Sequence, residues 1–160
     1  MRRMFPVLVF TVFAIAVSQL WAANDPLIGT WTGQTLSLKF EPYGKDGVKI
    51  TIGGPADAQG NQAPRRDAQG NPLPCHAACS YGGNYDGKEF HVADTPDDEM
   101  VVLERIDAYT TLRTNKKAGK VTATQKRIVS KDGKTLNAVN TTWNAQGQPM
   151  ETVAVYHKVK

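Results

Sequence analysis

Residues 120–158 read KVTATQKRIVSKDGKTLNAVNTTWNAQGQPMETVAVYHK, and this stretch decides the fold of the chain. Two short turns, which carry Asp132-Gly133 and Gln146-Gly147, separate three β-rich runs. Glycine in such turns supplies the positive φ that a tight reversal requires. Connections of this length join antiparallel neighbours and are too short for a parallel crossover. The stretch therefore predicts three consecutive antiparallel strands, over Lys120–Ser130, Thr135–Asn144 and Met150–Lys158.

The same plan continues towards the N-terminus. Two more β-rich runs, Met100–Ile106 and Tyr109–Thr114, precede the stretch, and residues 36–40 and 48–52 alternate apolar with polar side chains. No segment after residue 24 shows a sustained helical stripe. Sequentially adjacent, half-polar strands favour an up-and-down barrel over a Greek-key sandwich. We therefore predict an all-β antiparallel meander barrel of about eight to ten strands.

The first residues have the pattern of a secretory signal peptide. Arg2 and Arg3 precede an apolar run at 4–17, and small residues follow it. Because that run is shorter than the roughly 20 residues that cross a bilayer, cleavage is favoured over anchoring. The position of cleavage is left open: it follows Ser18, Ala22 or Ala23. The alternative for 4–17 is a buried core helix.

Two regions follow from this division of the chain. Residues 1–23 are interpreted as the signal peptide, which forms a helix, and residues 24–160 as one barrel domain. We expect an exported protein, periplasmic or secreted, with no transmembrane anchor after signal cleavage. The oligomeric state is left open.

Composition and charge exclude several classes of function. The chain has 160 residues, of which 41% are hydrophobic, enough to form a packed core. Two of its 19 basic residues lie in the leader, which leaves 17 against 15 acidic residues in the mature chain. This weak, scattered excess predicts no nucleic-acid partner. No serine lies in a Gly-x-Ser-x-Gly elbow, and phosphate loops and dinucleotide fingerprints are absent. We expect no catalytic residue, no cofactor and no enzymatic activity.

The most unusual local pattern is Cys75-His76-Ala77-Ala78-Cys79. In an exported protein, a disulfide between Cys75 and Cys79 is the leading interpretation. An extended strand would separate their Cα atoms by about 13 Å, whereas a disulfide tolerates about 7 Å, so the segment must turn. Free thiols, and a metal site that adds His76 with or without His91, are the alternatives. We expect no metal.

A five-residue motif is repeated. Residues 57–61, Asp-Ala-Gln-Gly-Asn, recur at 67–71, with a weaker copy at 144–148. Calcium binding needs carboxylates at alternate positions, and each of the first two copies has one. The repeats therefore predict hairpin turns of one kind.

Two polar side chains lie on one face of the run at 120–130. Val121, Ala123, Gln125, Arg127 and Val129 share this face, and if it points inward then Gln125 and Arg127 enter the barrel. A buried guanidinium is costly without an anion, so an inward Arg127 needs an internal carboxylate or an acidic ligand. The apolar Ile128 belongs to the opposite face, which leaves a solvated Arg127 as the alternative.

The neighbouring run contributes a second pair of candidate residues. Arg113 and Tyr109 share a face on the run that precedes the one carrying Arg127. They are further candidate ligand-binding residues, under the same condition on orientation.

Both ends of the mature chain resemble a known superfamily. Gly29-Thr30-Trp31 and the terminal Val155-Tyr156-His157-Lys158 resemble the two ends of the calycins, the lipocalins and fatty-acid-binding proteins. The body is similar to small exported bacterial proteins of lipocalin-like type whose function is uncharacterised. The resemblance implies a barrel whose interior holds a small apolar molecule, with Gly29 and Trp31 as structural residues that close one end.

The chain also departs from the pattern of fatty-acid-binding proteins in two places. Fatty-acid-binding proteins hold the ligand carboxylate with an Arg-x-Tyr pair on the last strand and insert two helices after the first. Tyr156 occupies the place of the tyrosine and is a candidate ligand residue, but Ala154 stands where the arginine should be. Only Gly33-Gln34 follows the first run, which leaves no room for a helical lid.

Two functions remain. The first is an exported barrel that binds a small apolar or amphipathic ligand in its interior. The second is a non-catalytic structural or interaction protein of the bacterial cell envelope, with a packed interior and an exposed apolar patch or open sheet edge. An outer-membrane barrel is disfavoured, because the strands lack a lipid-facing apolar alternation and the chain does not end on an aromatic residue.

Overall fold

A computed structural model of the chain describes residues 25–67, 69–71, 79–92 and 99–159. The described residues form ten β-strands. They are β1 (Gly29–Thr32), β2 (Ser37–Tyr43), β3 (Gly47–Gly53), β4 (Ser80–Asn84), β5 (Asp86–His91), β6 (Met100–Arg105), β7 (Thr110–Lys117), β8 (Lys120–Val129), β9 (Thr135–Trp143) and β10 (Pro149–Lys158). The proposed signal peptide, residues 1–23, lies outside the described residues. No helix in the described ranges is long and apolar enough to span a membrane.

All ten strands belong to one antiparallel sheet in the order β4-β3-β2-β1-β10-β9-β8-β7-β6-β5. Consecutive strands pair along the sheet, and β1 pairs with β10 through Trp31↔Lys158 and Thr32↔His157. The two edge strands, β4 and β5, follow one another in the chain but do not share hydrogen bonds. The predicted all-β up-and-down barrel is confirmed; it is nearly closed, with a slit between β4 and β5.

Apolar side chains fill one end of the barrel, which we call the Trp31 end. Trp31 is fully buried there, and its Nε1 donates a hydrogen bond to the carbonyl oxygen of Leu27 at 2.7 Å. The residues packed into this core come from strands all round the sheet, and they include Phe40, Val48, Ile50, Leu136 and Ala138. On β6 the core continues along the inner wall through Leu103 and Val101. A large indole fills volume that smaller side chains would leave void.

The segment that precedes β1 is fastened beneath this core. The Asp25 carboxylate pairs with Nη2 of Arg105, at the end of β6, at 2.5 Å. Nζ of Lys158 donates to the carbonyl oxygen of Pro26 at 3.1 Å and lies 5.1 Å from the centroid of the Trp31 ring. Three contacts from β1, β6 and β10 therefore hold the start of the domain against the Trp31 end.

The three copies of the five-residue motif are turns of one design. The side chains of Asp57, Asp67 and Asn144 each accept N–H groups from residues two and four positions later, at 2.8–3.0 Å. Gly60, Gly70 and Gly147 have φ of 82°, 86° and 76°. Hydrogen bonds from Asn61 hold the pKa of Asp57 below its ordinary value, and Asn71 does the same for Asp67. The turn interpretation is confirmed for all three copies, and the copy at 144–148 joins the paired strands β9 and β10.

A phenylalanine side chain fills the slit between β4 and β5. The Phe90 ring packs over Gly83, and its centroid lies 6.5 Å from that of Tyr81. A Cβ on Gly83 would lie 2.2 Å from Cε1 of Phe90, which is closer than van der Waals contact allows. Gly83 is therefore required for the aromatic seal across the unpaired strand edges.

Gly83→Ala is expected to destabilise the protein by about 1–3 kcal/mol, because the new methyl group displaces the Phe90 ring. Urea denaturation followed by far-ultraviolet circular dichroism measures the change. In a Phe90→Leu background the same substitution should cost less, since the shorter side chain leaves room for the methyl group. An equal cost in both backgrounds would show that Phe90 is not the group that excludes a side chain at position 83.

Candidate functional site

The orientation of β8 places two of the predicted side chains inside the barrel. Arg127 lies opposite Thr111 of β7 and Ala138 of β9, and all three residues are buried. Two residues further along β8, Val129 belongs to the apolar core. Because side chains alternate between the two faces of a strand, Gln125 and Arg127 share the inner face with Val129. Ile128, which left the orientation open, lies on the outer face.

Arg127 is 2% exposed and is only partly satisfied by hydrogen bonds. Its Nε donates to Oε1 of Gln125 at 2.6 Å, and its Nη2 donates to the hydroxyl oxygen of Tyr81 at 3.1 Å. The guanidinium carbon lies 5.3 Å from the centroid of the Phe40 ring. Among the described residues no carboxylate pairs with Arg127, and its buried Nη1 has no hydrogen-bond partner.

A second guanidinium lies beside the first. Arg113 projects from β7 opposite Gln125, and its guanidinium carbon lies 4.7 Å from the centroid of the Tyr81 ring. Its Nε is buried without a partner in the described part of the chain. Burial lowers the pKa of Arg113; Tyr81 opposes this shift, and the positive charge of Arg127 adds to it. Tyr81 therefore contacts both cations, one through its ring and one through its hydroxyl group.

Two hydroxyl groups near these arginines are also buried without a partner among the described residues. They are Oγ1 of Thr111, which is opposite Arg127 in the sheet, and the hydroxyl of Tyr85. Burial raises the pKa of Tyr85 above its ordinary value, and the charge of Asp25 adds to the rise, so the phenol stays protonated. Arg105 lies over the Tyr85 ring at 4.3 Å. Thr111 and the two arginines thus have unused donors at neighbouring inner positions, whereas Tyr85 lies beside Arg105.

The remaining predicted residues lie in different places. Tyr156 is buried one position closer to the Trp31 end, opposite Leu136, and burial raises the pKa of its phenol, opposed by the charge of Arg127. Tyr109 lies in the turn before β7, is 39% exposed, and is held by its backbone N–H, which donates to Asp107. Tyr109 therefore does not share a strand face with Arg113 as predicted, because the alternation of side chains along β7 does not extend into the turn.

Sequence reasoning missed Tyr81, Tyr85, Thr111 and Asn140. A signal for Asn140 was present, since it alternates with Leu136 and Ala138 on the inner face of β9. Tyr81 lies in a five-residue strand next to two glycines, where no alternation identifies a face. Its approach to Arg127 brings together residues 46 positions apart in the chain.

The structure describes one of the two cysteines. Cys79 is a buried free thiol, and Nη1 of Arg65 lies 3.6 Å from its sulfur. The predicted disulfide is therefore not shown, and Cys75 and His76 lie outside the described residues. In the part of the chain that the structure describes, no group of three or more His, Cys, Asp or Glu side chains is placed to hold a metal ion.

A second opening lies between β10 and the turn that joins β1 to β2. Because β1 pairs with β10 only at His157 and Lys158, the edge of β10 before His157 is not paired with β1. A cleft of about 640 Å³ lies there, lined by residues 32–36 and 153–157. Val153 and Val155 beside it are 62% and 46% exposed.

The class of protein that these features define is a nearly closed, ten-stranded antiparallel barrel with Arg127 and Arg113 on its inner wall, neither of them in an ion pair like that of Arg105 with Asp25 among the described residues. This architecture is compatible with a calycin-like barrel. No protein-family model matches the chain, and no curated protein matches it either. The likeness to lipocalins and fatty-acid-binding proteins therefore rests on the terminal motifs and on the barrel.

Proposed function

We propose that this protein binds a small acidic molecule inside its barrel, with the anionic group held by Arg127 and Arg113. The observation that carries the proposal is the state of Arg127, which is buried, lacks a carboxylate partner among the described residues and keeps an unused N–H group. A buried charge without a partner costs several kcal/mol, of the order of 3–5 when a pair is broken. An acidic ligand supplies the missing charge and accepts the unused hydrogen bonds.

A comparison within the same barrel supports this interpretation. Arg105, which also lies on an inner strand position, forms an ion pair with Asp25 of the chain itself. The chain thus supplies a carboxylate where an arginine fastens the fold. In the part of the chain that the structure describes, no carboxylate pairs with Arg127, whereas burial lowers the pKa of Arg113 and the charge of Glu99 opposes that shift. The state of Arg127 is what favours an added anionic partner.

The packing of the interior limits where the ligand lies. Fully buried side chains occupy the Trp31 end, among them Trp31, Phe40, Ile50 and Leu136. On β7 to β10 the inner positions on the other side of Arg127 are polar, and the ligand is placed there, towards the hairpins that join β7 to β8 and β9 to β10. As part of the same proposal, the chain is exported, residues 1–23 are its signal peptide, and binding involves no catalytic step.

Thermal unfolding with small carboxylates and their neutral amides tests the proposal. We expect glucuronate or cyclohexanecarboxylate to raise the melting temperature, because a ligand that binds the folded state stabilises it. At a hundred times Kd the stabilisation is about 2.7 kcal/mol, which corresponds to roughly 5–10 °C. The corresponding amides should give no shift, since they carry no charge.

Two variants separate site binding from a general effect of anions. Arg127→Met should abolish the shift produced by the acids. Arg66→Met removes an exposed arginine that donates to the carbonyl oxygen of Gly70, and it should leave the shift unchanged. Equal shifts from acids and amides, or an undiminished acid shift in Arg127→Met, would refute the proposal.

The exposed edge of β10 favours a second candidate, an interaction protein of the cell envelope. Unpaired strand edges and exposed apolar side chains are features of surfaces that receive another chain. Val153, Val155 and the cleft beside them have this character. Light scattering of the purified protein across a dilution series decides whether this edge associates with a second copy, which would give a mass that falls on dilution.

A further inference from the structure

One row of inner side chains next to Arg127 is polar on four consecutive strands. Arg113 of β7 lies opposite Gln125 of β8, Gln125 lies opposite Asn140 of β9, and Asn140 lies opposite Thr152 of β10. We call these four residues the polar row. They are on the inner face because they are two positions from Thr111, Arg127, Ala138 and Ala154, which form the neighbouring inner row.

The character of the inner wall changes at Arg127. On the side of the Trp31 end, the next inner residues of β8, β9 and β10 are Val129, Leu136 and Tyr156, all buried in the apolar core. On the other side come the polar row and, beyond it, Asn115, Ala123 and Thr142, whereas β6 stays apolar there, with Leu103 opposite Arg113 and Val101 opposite Asn115. An acyl chain that ran from Arg127 past these amides and hydroxyls would take them out of water without offering them hydrogen bonds.

The polar row has hydrogen-bonding capacity to spare. Nε2 of Gln125 donates to Oδ1 of Asn140 at 2.7 Å, whereas Nδ2 of Asn140 reaches the carbonyl oxygen of Ala138 at only 3.5 Å. The Thr152 hydroxyl makes no hydrogen bond to another of the described residues. Amide and hydroxyl groups that alternate as donors and acceptors along a wall are suited to a ligand with several hydroxyl groups.

The spacing between the two rows fits such a ligand. Successive inner residues of one strand are about 6.6 Å apart, twice the rise per residue. That separation, from Arg127 to the polar row, is on the scale of one pyranose ring. A carboxylate on the ring then contacts the arginines while the ring hydroxyls contact Asn140 and Thr152.

From these observations we infer that the ligand is a hydroxylated carboxylic acid of the sugar-acid class, and not a fatty acid. This inference rests on the proposed function, since Arg127 and Arg113 receive the carboxylate. Its own content is the role of the polar row, with Asn140 and Thr152 as the residues that select hydroxyl groups.

Two acids that each carry one carboxylate on a six-membered ring test the inference by isothermal titration calorimetry with the mature protein. Glucuronate carries a carboxylate on a hydroxylated ring, and cyclohexanecarboxylate carries it on a ring without hydroxyls. We expect glucuronate to bind at least tenfold more tightly. Asn140→Leu and Thr152→Val should each weaken glucuronate binding about fivefold, as expected for the loss of one hydrogen bond, and leave cyclohexanecarboxylate binding unchanged.

Matched controls are available on the outer face of β9. Asn137→Leu and Thr141→Val make the same chemical changes at positions that face away from the interior, and they should leave the affinity for both acids unchanged. If Asn140→Leu does not fold, the comparison of the two acids with the wild-type protein decides the matter alone.

The outcomes separate the two proposals. Equal or tighter binding of cyclohexanecarboxylate overturns the sugar-acid inference and leaves acid binding at Arg127 intact. Binding of neither acid overturns both. Tenfold preference for glucuronate, lost in the polar-row variants and kept in the outer-face variants, supports both.

Discussion

Trp31→Ala is expected to lower the free energy of unfolding by about 3–5 kcal/mol, the range for removing a buried aromatic side chain. Trp31 is fully buried and is the largest side chain at its end of the barrel. The substitution leaves a cavity that Phe40, Leu38 and their neighbours cannot fill without moving. It also removes the donor to the carbonyl oxygen of Leu27 and the ring beneath Lys158.

Urea denaturation at 25 °C, followed by far-ultraviolet circular dichroism, measures this loss without depending on tryptophan fluorescence. Trp143→Ala is the matched control, because Trp143 is 41% exposed near the end of β9. It should change the free energy of unfolding by about 0.5 kcal/mol or less, as for most surface substitutions. Equal losses in the two variants would contradict the role of Trp31 as the filler of the barrel end.

Arg127→Met is expected to act in the opposite direction on the ligand-free protein. Replacing a buried, imperfectly compensated charge by a flexible apolar side chain of similar length removes its desolvation cost, and comparable changes have stabilised proteins by about 1–4 kcal/mol. The lower end of that range applies here, because Gln125 and Tyr81 each lose a donor. The same variant should lose acid binding, so stability and function are opposed at this position.

Arg105→Met provides the contrast. It removes the partner of Asp25 and leaves a nearly buried carboxylate without its cation, which destabilises the protein. In chemical denaturation without ligand, the free energy of unfolding should therefore rise in Arg127→Met and fall in Arg105→Met. A loss of stability in Arg127→Met as large as in Arg105→Met would show that Arg127 has a structural role, and the acid-binding proposal would lose its main support.

The alternation of the long strands predicted much of the candidate site. Arg127 and Gln125 were placed on one face of β8, and Arg113 on a face of the neighbouring strand, from spacing alone. Alternation divides a strand into two faces but does not say which face is inside. Ile128 and Val129 are both apolar and lie on opposite faces of β8, so they do not identify the inner one. The answer depends on which face meets the core from other strands, and that is a tertiary contact.

Short strands carried less information. Tyr81 and Phe90 lie on β4 and β5, where glycines and turns leave few residues to show a period. Their positions follow from closure of the sheet, which brings β4 close to β6 and β7 without hydrogen bonds between β4 and β5. Tyr109 is absent from the site for a local reason, because it lies in the turn before β7, which begins at Thr110.

What the amino-acid sequence by itself determined is local. Turn residues at regular intervals and a period of two between them specify consecutive antiparallel strands, because these signals act over a few residues of chain. Only the tertiary structure decided that β1 meets β10, that Tyr81 joins two arginines and that Arg127 is buried with an unused N–H group. Those contacts join residues far apart in the chain, and their energies arise from the burial that exists once the sheet has closed.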